Sequence, residues 1–269
     1  MENCNHNCSS CPSKGNCAAE IAKEPCNKYA SVKKVIAVVS SKGGVGKSMV
    51  TAMLASAMQQ QGKRTAVLDA DITGPSIPKT FGVSGRACGN EFGILPMLSK
   101  GGVQMMSVNL LLNNPTDPVI WRGPVIAGTV KQFWSDVIWE DVEYMFIDMP
   151  PGTGDVTLTV FQSLPVDGLI IVTTPQELVE MIVEKVVKMA GMLHIPVLGL
   201  VENCAYFVCD ECEKKHYIYG ESRAKELAAR YDIPLLAQLP LDPAIARACD
   251  EGRVEELQLP QLDELLNSL

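Results

Sequence analysis

A doubly wound α/β domain, with a mostly parallel sheet covered on both faces, is the fold this 269-residue sequence predicts. Three observations carry it. Strand-sized apolar runs alternate with helix-patterned segments from residue 33 onward. The runs are apolar at consecutive positions, as strands buried on both faces require. The first run opens into a glycine-rich loop that passes at once into a helix.

Taken in order, residues 35–39 (VIAVV) predict the first strand. Residues 47–61, rich in Ala, Met, Leu and Gln, predict the helix after the loop. Residues 64–68 form a second strand, ending at Asp69. Residues 73–102 are rich in Gly, Pro and Ser and predict long loops with short elements. Residues 103–108 form a third strand. Residues 121–138 predict a helix entered through Gly123-Pro124, proline being favoured in a first turn. Residues 144–147 form a strand ending at Asp148, and Asp155 is placed to cap the helix that follows. A strand over 169–173, a helix over 177–192 and a strand over 197–201 continue the alternation. A helix over 222–231, a strand over 235–238 and short helices over 243–249 and 261–266 finish the chain. No internal repeat is visible.

Residues 1–30 differ from the rest. They hold five of the ten cysteines and have almost no apolar periodicity. Such a segment folds around a metal or not at all. The sequence therefore divides into a Cys-rich extension (1–30) and a single domain (31–269).

Composition narrows the function. Lys plus Arg is 23 against Asp plus Glu 31, a net charge of −8. That balance argues against nucleic acid or an anionic membrane as a partner. No apolar run approaches the roughly 18–20 residues that span a bilayer, and the polar N-terminus has no signal core. A cytoplasmic location is expected. In a reducing compartment, clustered thiols point to metal or redox chemistry more than to disulfides.

The strongest motif is Ser41-Lys42-Gly43-Gly44-Val45-Gly46-Lys47-Ser48, between a strand and a helix. In that context glycines let the backbone wrap around phosphates, with N–H groups and the helix N-terminus pointing inward. Gly43, Gly44, Val45, Gly46, Lys47, Ser48 and Met49 form the expected cradle. Lys47 would reach the β- and γ-phosphates, and the Ser48 hydroxyl would ligate Mg²⁺. No N-K-x-D motif is present, which favours ATP over GTP.

The early lysine makes SKGGVGKS resemble the deviant Walker A ATPases. The resemblance implies that Lys42 crosses a dimer interface to the partner's nucleotide, in the manner of an arginine finger. Two further runs look like segments of this class. DADITGPS (69–76) resembles switch I, with Asp71 positioning or deprotonating the attacking water and Asp69 supporting the Mg²⁺ shell. FIDMPPGTGD (146–155) resembles the Walker B and switch II segment, with Asp148 holding Mg²⁺ through water and the Gly152 amide sensing the γ-phosphate. By the same resemblance Asn203 would bond adenine, and the segment holding Pro240 and Asp242 would close over the base.

A second strong motif lies just past the strand over 197–201, where Cys209 and Cys212 form a C-x-x-C. Two thiolates make half of a four-thiolate site. A symmetric dimer brings two pairs together on its two-fold axis and completes the set. A bridging [4Fe–4S] cluster fits that count, and so does zinc.

Together SKGGVGKS, DADITGPSIP, IDMPPGTGD, VENCAYFVCDEC and IPLLAQLPLDPAIARACDEG resemble the Mrp family of iron–sulfur cluster carrier ATPases, over nearly all of 31–269. The resemblance implies an ATP-hydrolysing homodimer that delivers clusters from the assembly machinery to apo-proteins. Cys8-x2-Cys11-x5-Cys17, with Cys4 ahead, resembles the ferredoxin-type extension of the eukaryotic cytosolic scaffold members. It implies a second cluster, or zinc, on Cys4, Cys8, Cys11 and Cys17, with Cys26 as a substitute. Cys204 stands where the family often has Met, and a small apolar replacement is the favoured reading over a third thiol ligand.

Cys88 and Cys249 read as packing residues, as do Met181, Met189 and Met192 on one helical pattern. His6 reads as a solvated tail residue, and His194 and His216 show no partner in the sequence. Two other functions compete. A MinD- or ParA-like spatial regulator explains the phosphate loop but not the thiols. An electron-transfer ATPase like nitrogenase reductase needs a stable redox cluster.

Overall fold

The computed structural model describes residues 22–40, 42–114, 117, 119, 121, 123–175 and 179–269, with the backbone alone at 179–182. Cys4, His6, Cys8, Cys11, Cys17 and Ser41 lie outside the described residues.

The elements, in order, are β1 (Val32–Ser40), α1 (Lys47–Gln60), β2 (Thr65–Asp69), α2 (Ile77–Thr80), β3 (Gly89–Asn90), β4 (Gly93–Ile94), β5 (Met97–Leu98), β6 (Gln104–Met106), α3 (Gly123–Ser135), β7 (Val142–Asp148), α4 (Asp155–Ser163), β8 (Gly168–Thr173), α5 (Val179–Met192), β9 (Val197–Val208), β10 (Lys215–His216), α6 (Ala224–Arg230), β11 (Leu235–Pro240), α7 (Pro243–Asp250) and α8 (Asp263–Ser268). The main sheet runs β10-β9-β8-β1-β7-β2-β6-β5, with β11 also paired to β9. Its pairs are parallel except β5–β6 and β9–β10.

β1 shows why both faces are covered. Val35, Ala37 and Val39 point into one apolar cluster, which α3, α4 and α5 close with Val130, Phe133, Val160 and Val183. Ile36 and Val38 point into the other, which α1, α7 and α8 close with Met53, Leu54, Ile245 and Leu265. Alternate side chains of a strand face opposite ways, so a strand apolar at every position serves two cores at once.

β1 and β7 are neighbours from which the chain leaves in opposite directions, β1 passing through α1 to β2 on one flank and β7 through α4 to β8 on the other. In open α/β sheets the ligand crevice forms where connections diverge, beyond the carboxyl ends of the strands. The loop after β1, Asp69 at the end of β2 and Asp148 at the end of β7 all sit there.

Three local differences from the sequence reading have plain causes. The helix read over 121–138 stops at Ser135, because Ile138 donates its N–H to the Ile94 carbonyl at 2.8 Å and the chain leaves the helix to pair there. Asp155 is the first residue of α4 and not its cap; Gly154 holds the cap position. The strand read over 197–201 runs on to Val208. Within it Gln238 pairs Glu202 while Pro240 pairs Tyr206, so β9 carries extra residues between those pairs and bulges.

Residues 22–30, grouped with the tail by composition, are docked on the domain. The Lys23 ammonium donates to the Phe161 carbonyl at 2.7 Å, and the Trp134 indole donates to the Glu24 carbonyl at 2.9 Å. Cys26 packs against the core.

Candidate functional site

The phosphate loop turns where glycine is required. Gly44 and Gly46 have φ of 80° and 83°, and Gly46 is the N-cap of α1. The first turn of α1 therefore begins with N–H groups directed into the crevice, ready for an anion.

A buried polar cluster lies under this loop. The Lys47 ammonium, 6% exposed, donates to Asp148 Oδ1 at 2.7 Å. Ser48 Oγ donates to Asp148 Oδ2 at 2.6 Å, and Thr51 Oγ1 donates to Oδ1 at 2.9 Å. Asp71 Oδ2 lies 4.0 Å from the same ammonium. Ser107 Oγ donates to Asp69 Oδ2 at 2.9 Å. Burial pushes the Asp69 carboxyl well above the usual range, and neighbouring Asp148 pushes it further. Burial also raises Asp71, against the pull of Lys47.

Thr51 and Ser107 are members that sequence reading missed. Thr51 lies one helical turn after Lys47, a spacing that places both on one face of α1. Ser107 follows β6, the strand paired beside β2.

The bulge in β9 aims Asn203 at the phosphate loop. Cys204, next along, has a positive φ of 55°. Asn203 is 2% exposed, and its Nδ2 donates to the Val45 carbonyl at 2.9 Å. Its Oδ1 is buried with no hydrogen-bond partner among the described residues. A buried acceptor left open in this way calls for a donor.

Past the bulge, β9 carries the C-x-x-C out of the sheet. The Cys209 N–H donates to the Lys214 carbonyl at 3.0 Å, and the Glu213 N–H donates to the Cys209 carbonyl at 2.8 Å. The turn closes through Glu213, whose φ is 56°, and returns as β10. The backbone N–H groups of Glu211 and Cys212 are directed at the Cys209 sulfur and hold its thiol below the ordinary value. His216, which shows no partner in the sequence, is brought to the two thiols. The donor atoms of Cys209, Cys212 and His216 all lie within 4.8 Å of one another.

These features agree with what comparison with known proteins gives. A family described as NUBPL iron-transfer P-loop NTPase matches residues 31–267. The chain belongs to this iron-transfer P-loop NTPase family. It is 44% identical over 261 residues to the iron-sulfur cluster carrier protein of Methanocaldococcus jannaschii, covering 94% of this chain and 90% of the relative. It is 42% identical over 257 residues to the protein of that name from Clostridium perfringens, covering 93% and 90%. A solved nucleotide-binding protein from Archaeoglobus fulgidus, described in complex with ADP and with Co found, is 43% identical with a TM-score of 0.79, covering 87% of this chain and 92% of its own. The cell-division ATPase MinD of Pyrococcus furiosus, at 21% identity and a TM-score of 0.62 over 87% and 97%, shares the fold.

The remaining expected site residues of this NTPase fall as follows. Lys42 is half-buried at the loop, its carbonyl accepting from Ser40 Oγ at 3.0 Å. The Gly152 N–H donates to the Ser40 carbonyl at 2.9 Å, which puts switch II against the end of β1. Pro240 pairs with Tyr206 beside the bulge. Asp242 caps α7, accepting from the Ala244 N–H at 2.7 Å.

Four smaller expectations change. Cys88 is exposed and Met192 is 82% exposed, so neither is a packing residue. His194 has a partner, its Nδ1 lying 3.1 Å from the Gly191 carbonyl. His216 stands beside the two thiols. Cys249, by contrast, packs against the core, and burial pushes its thiol up to about 11. Burial likewise raises the half-buried Cys204 thiol, which suits a small apolar replacement better than a ligand. Among the described residues no helix is long and apolar enough to cross a membrane.

Proposed function

We propose that this chain carries iron–sulfur clusters to apo-proteins and that ATP binding and hydrolysis control the grip on the cargo. One observation carries the reading. A single strand, β9, holds Asn203 against the phosphate loop and ends at the thiol pair. Cys209 lies six positions beyond Asn203, at most about 20 Å of chain, so a shift at the loop has a direct line to the thiols. The names of the relatives support the same cargo.

The residues fit Mg²⁺-ATP. The open Oδ1 of Asn203 suits the amino group of adenine. Ser48, Asp148 and Asp69 offer the hard oxygen donors Mg²⁺ takes. When bound, that ion neutralises charge on the β- and γ-phosphates. Lys47 exchanges its Asp148 contact for phosphate oxygens. Asp71, held above the usual carboxylate range by burial, orients the attacking water and accepts its proton. In a homodimer Lys42 of each chain adds its charge to the partner's γ-phosphate. The same dimer sets two Cys209/Cys212 pairs around one [4Fe–4S] cargo. Cys4, Cys8, Cys11 and Cys17 hold a second cluster or zinc in the extension.

The test is cluster transfer from the reconstituted protein to an apo-acceptor, alongside ATP turnover. Lys47→Ala is expected to cut turnover by about 100-fold or more. Lys42→Ala is expected to cut it by about 1,000-fold or more while ATP still binds. Transfer should fall in both variants. Unchanged transfer in both would defeat the coupling.

A further inference from the structure

The hairpin that carries the thiols has two faces. Phe207 pairs directly with His216, and Val208 with Lys215. Side chains alternate along each strand. Tyr206, Val208 and Lys215 therefore share one face, and there the Lys215 ammonium lies 4.1 Å from the centre of the Tyr206 ring. Phe207, Cys209 and His216 share the other. Cys209 and His216 are diagonal neighbours across the ladder, close enough for side chains to meet. The turn through Glu213, with its φ of 56°, leaves the Cys212 sulfur within 4.8 Å of the Cys209 and His216 donor atoms. A charged lysine adjacent in sequence is thus directed away from the thiols, and an imidazole is directed toward them.

We propose that Cys209, Cys212 and His216 of one chain form a complete three-donor site for a single thiophilic divalent cation of the zinc type. Two thiolates and one imidazole with an open fourth position form a known zinc donor set. Soft sulfur donors exclude Mg²⁺ and Ca²⁺. The site shares two thiols with the proposed cluster cage but needs no second chain. A cation bound there occupies the thiols of a separate protomer, and it has to leave before two protomers can share a cluster. His216 is the donor that distinguishes the two states, because four thiolates alone satisfy the shared cargo.

The probe is Co²⁺ added to the anaerobic, iron-free full chain, read by its thiolate charge-transfer and tetrahedral d–d absorption. Cysteines elsewhere also bind Co²⁺, so the part of the absorption lost in the double variant Cys209→Ser/Cys212→Ser defines this site. That part is expected to titrate to one ion per chain. In His216→Ala its affinity should fall by at least about 10-fold, the lower bound seen even for outer-shell partners of a metal. His216→Cys should restore tight binding with absorption shifted toward a third thiolate. An unchanged affinity in His216→Ala, or one ion per two chains, overturns the site. Cluster transfer is a separate readout on the same variants, so a protein that shows the His216-dependent absorption yet transfers no cluster counts against the carrier reading alone.

Discussion

At the scale of single residues, Gly46 shows how tightly the nucleotide crevice is built. A Cβ added there would stand 2.2 Å from Asn203 Nδ2, and the backbone φ of 83° disfavours any L side chain. Gly44 has a similar φ of 80° but open space around it. The two positions therefore separate backbone strain from collision. Gly44→Ala is expected to cost about 1–2 kcal/mol, the left-handed penalty alone. Gly46→Ala should cost more, because Asn203 must also give up its bond to Val45. Urea unfolding and ATP affinity measured on both variants check this. Equal losses would remove the role given to Asn203.

At the scale of elements, the thiol hairpin carries a strained turn. Glu213 adopts φ of 56°, a region that glycine enters freely and other residues enter at a cost. Glu213→Gly is expected to firm the hairpin by up to about 1 kcal/mol. The Cys209 amide, bonded to the Lys214 carbonyl, should then exchange with solvent more slowly, while the global unfolding midpoint stays where it is. Faster exchange would mean that the glutamate side chain itself props the turn. The same hairpin marks the limit of what the sequence discloses. Strands such as β1, β7 and β8 announce themselves by unbroken apolar runs, and the phosphate loop by its glycines and lysines. Asp69, Asp71 and Asp148 are legible because each stands at or just past the end of such a strand. The continuation of β9 is not legible, since Glu202, Asn203 and Cys204 interrupt the apolar pattern and the strand is picked up again past the bulge only by Pro240 of β11 pairing with Tyr206, some thirty-five residues on. His216 is hidden for the same reason. Only the register of β10 on β9 brings it to the thiols, and two paired residues leave no periodic signal. Thr51 and Ser107 are ordinary polar residues until the sheet places them under the loop.

At the scale of the molecule, the buried acids of the crevice oppose folding at neutral pH. Asp69 is fully enclosed, and burial beside Asp148 raises its carboxyl well above the ordinary value. A carboxyl raised on folding binds its proton more tightly in the native state than in the unfolded chain. Its contribution is therefore most favourable below the unfolded value near 3.9, and it is lost as pH rises through the raised native value. Asp69→Asn is expected to be more stable than the parent at pH 7, with the gap closing as pH falls through the acid range. Thermal unfolding followed from pH 7 down to about pH 4 checks the sign. A gap that widens on acidification would show that the carboxylate is a net stabiliser.

β9 and the hairpin loop that it leads into also stand on different footings. Around Glu202 and Asn203 the strand is enclosed, at 2% exposure each, whereas from Asp210 to Gly220 every residue lies at the surface. Among the described residues, none from Phe207 to Gly220 belongs to either apolar cluster, so nothing of the hydrophobic core has to be broken for the thiols to let go. Handing over an inorganic cargo then asks only for a small opening at the rim, a fluctuation of the kind that thinly packed surface segments make while the rest of a protein stays folded.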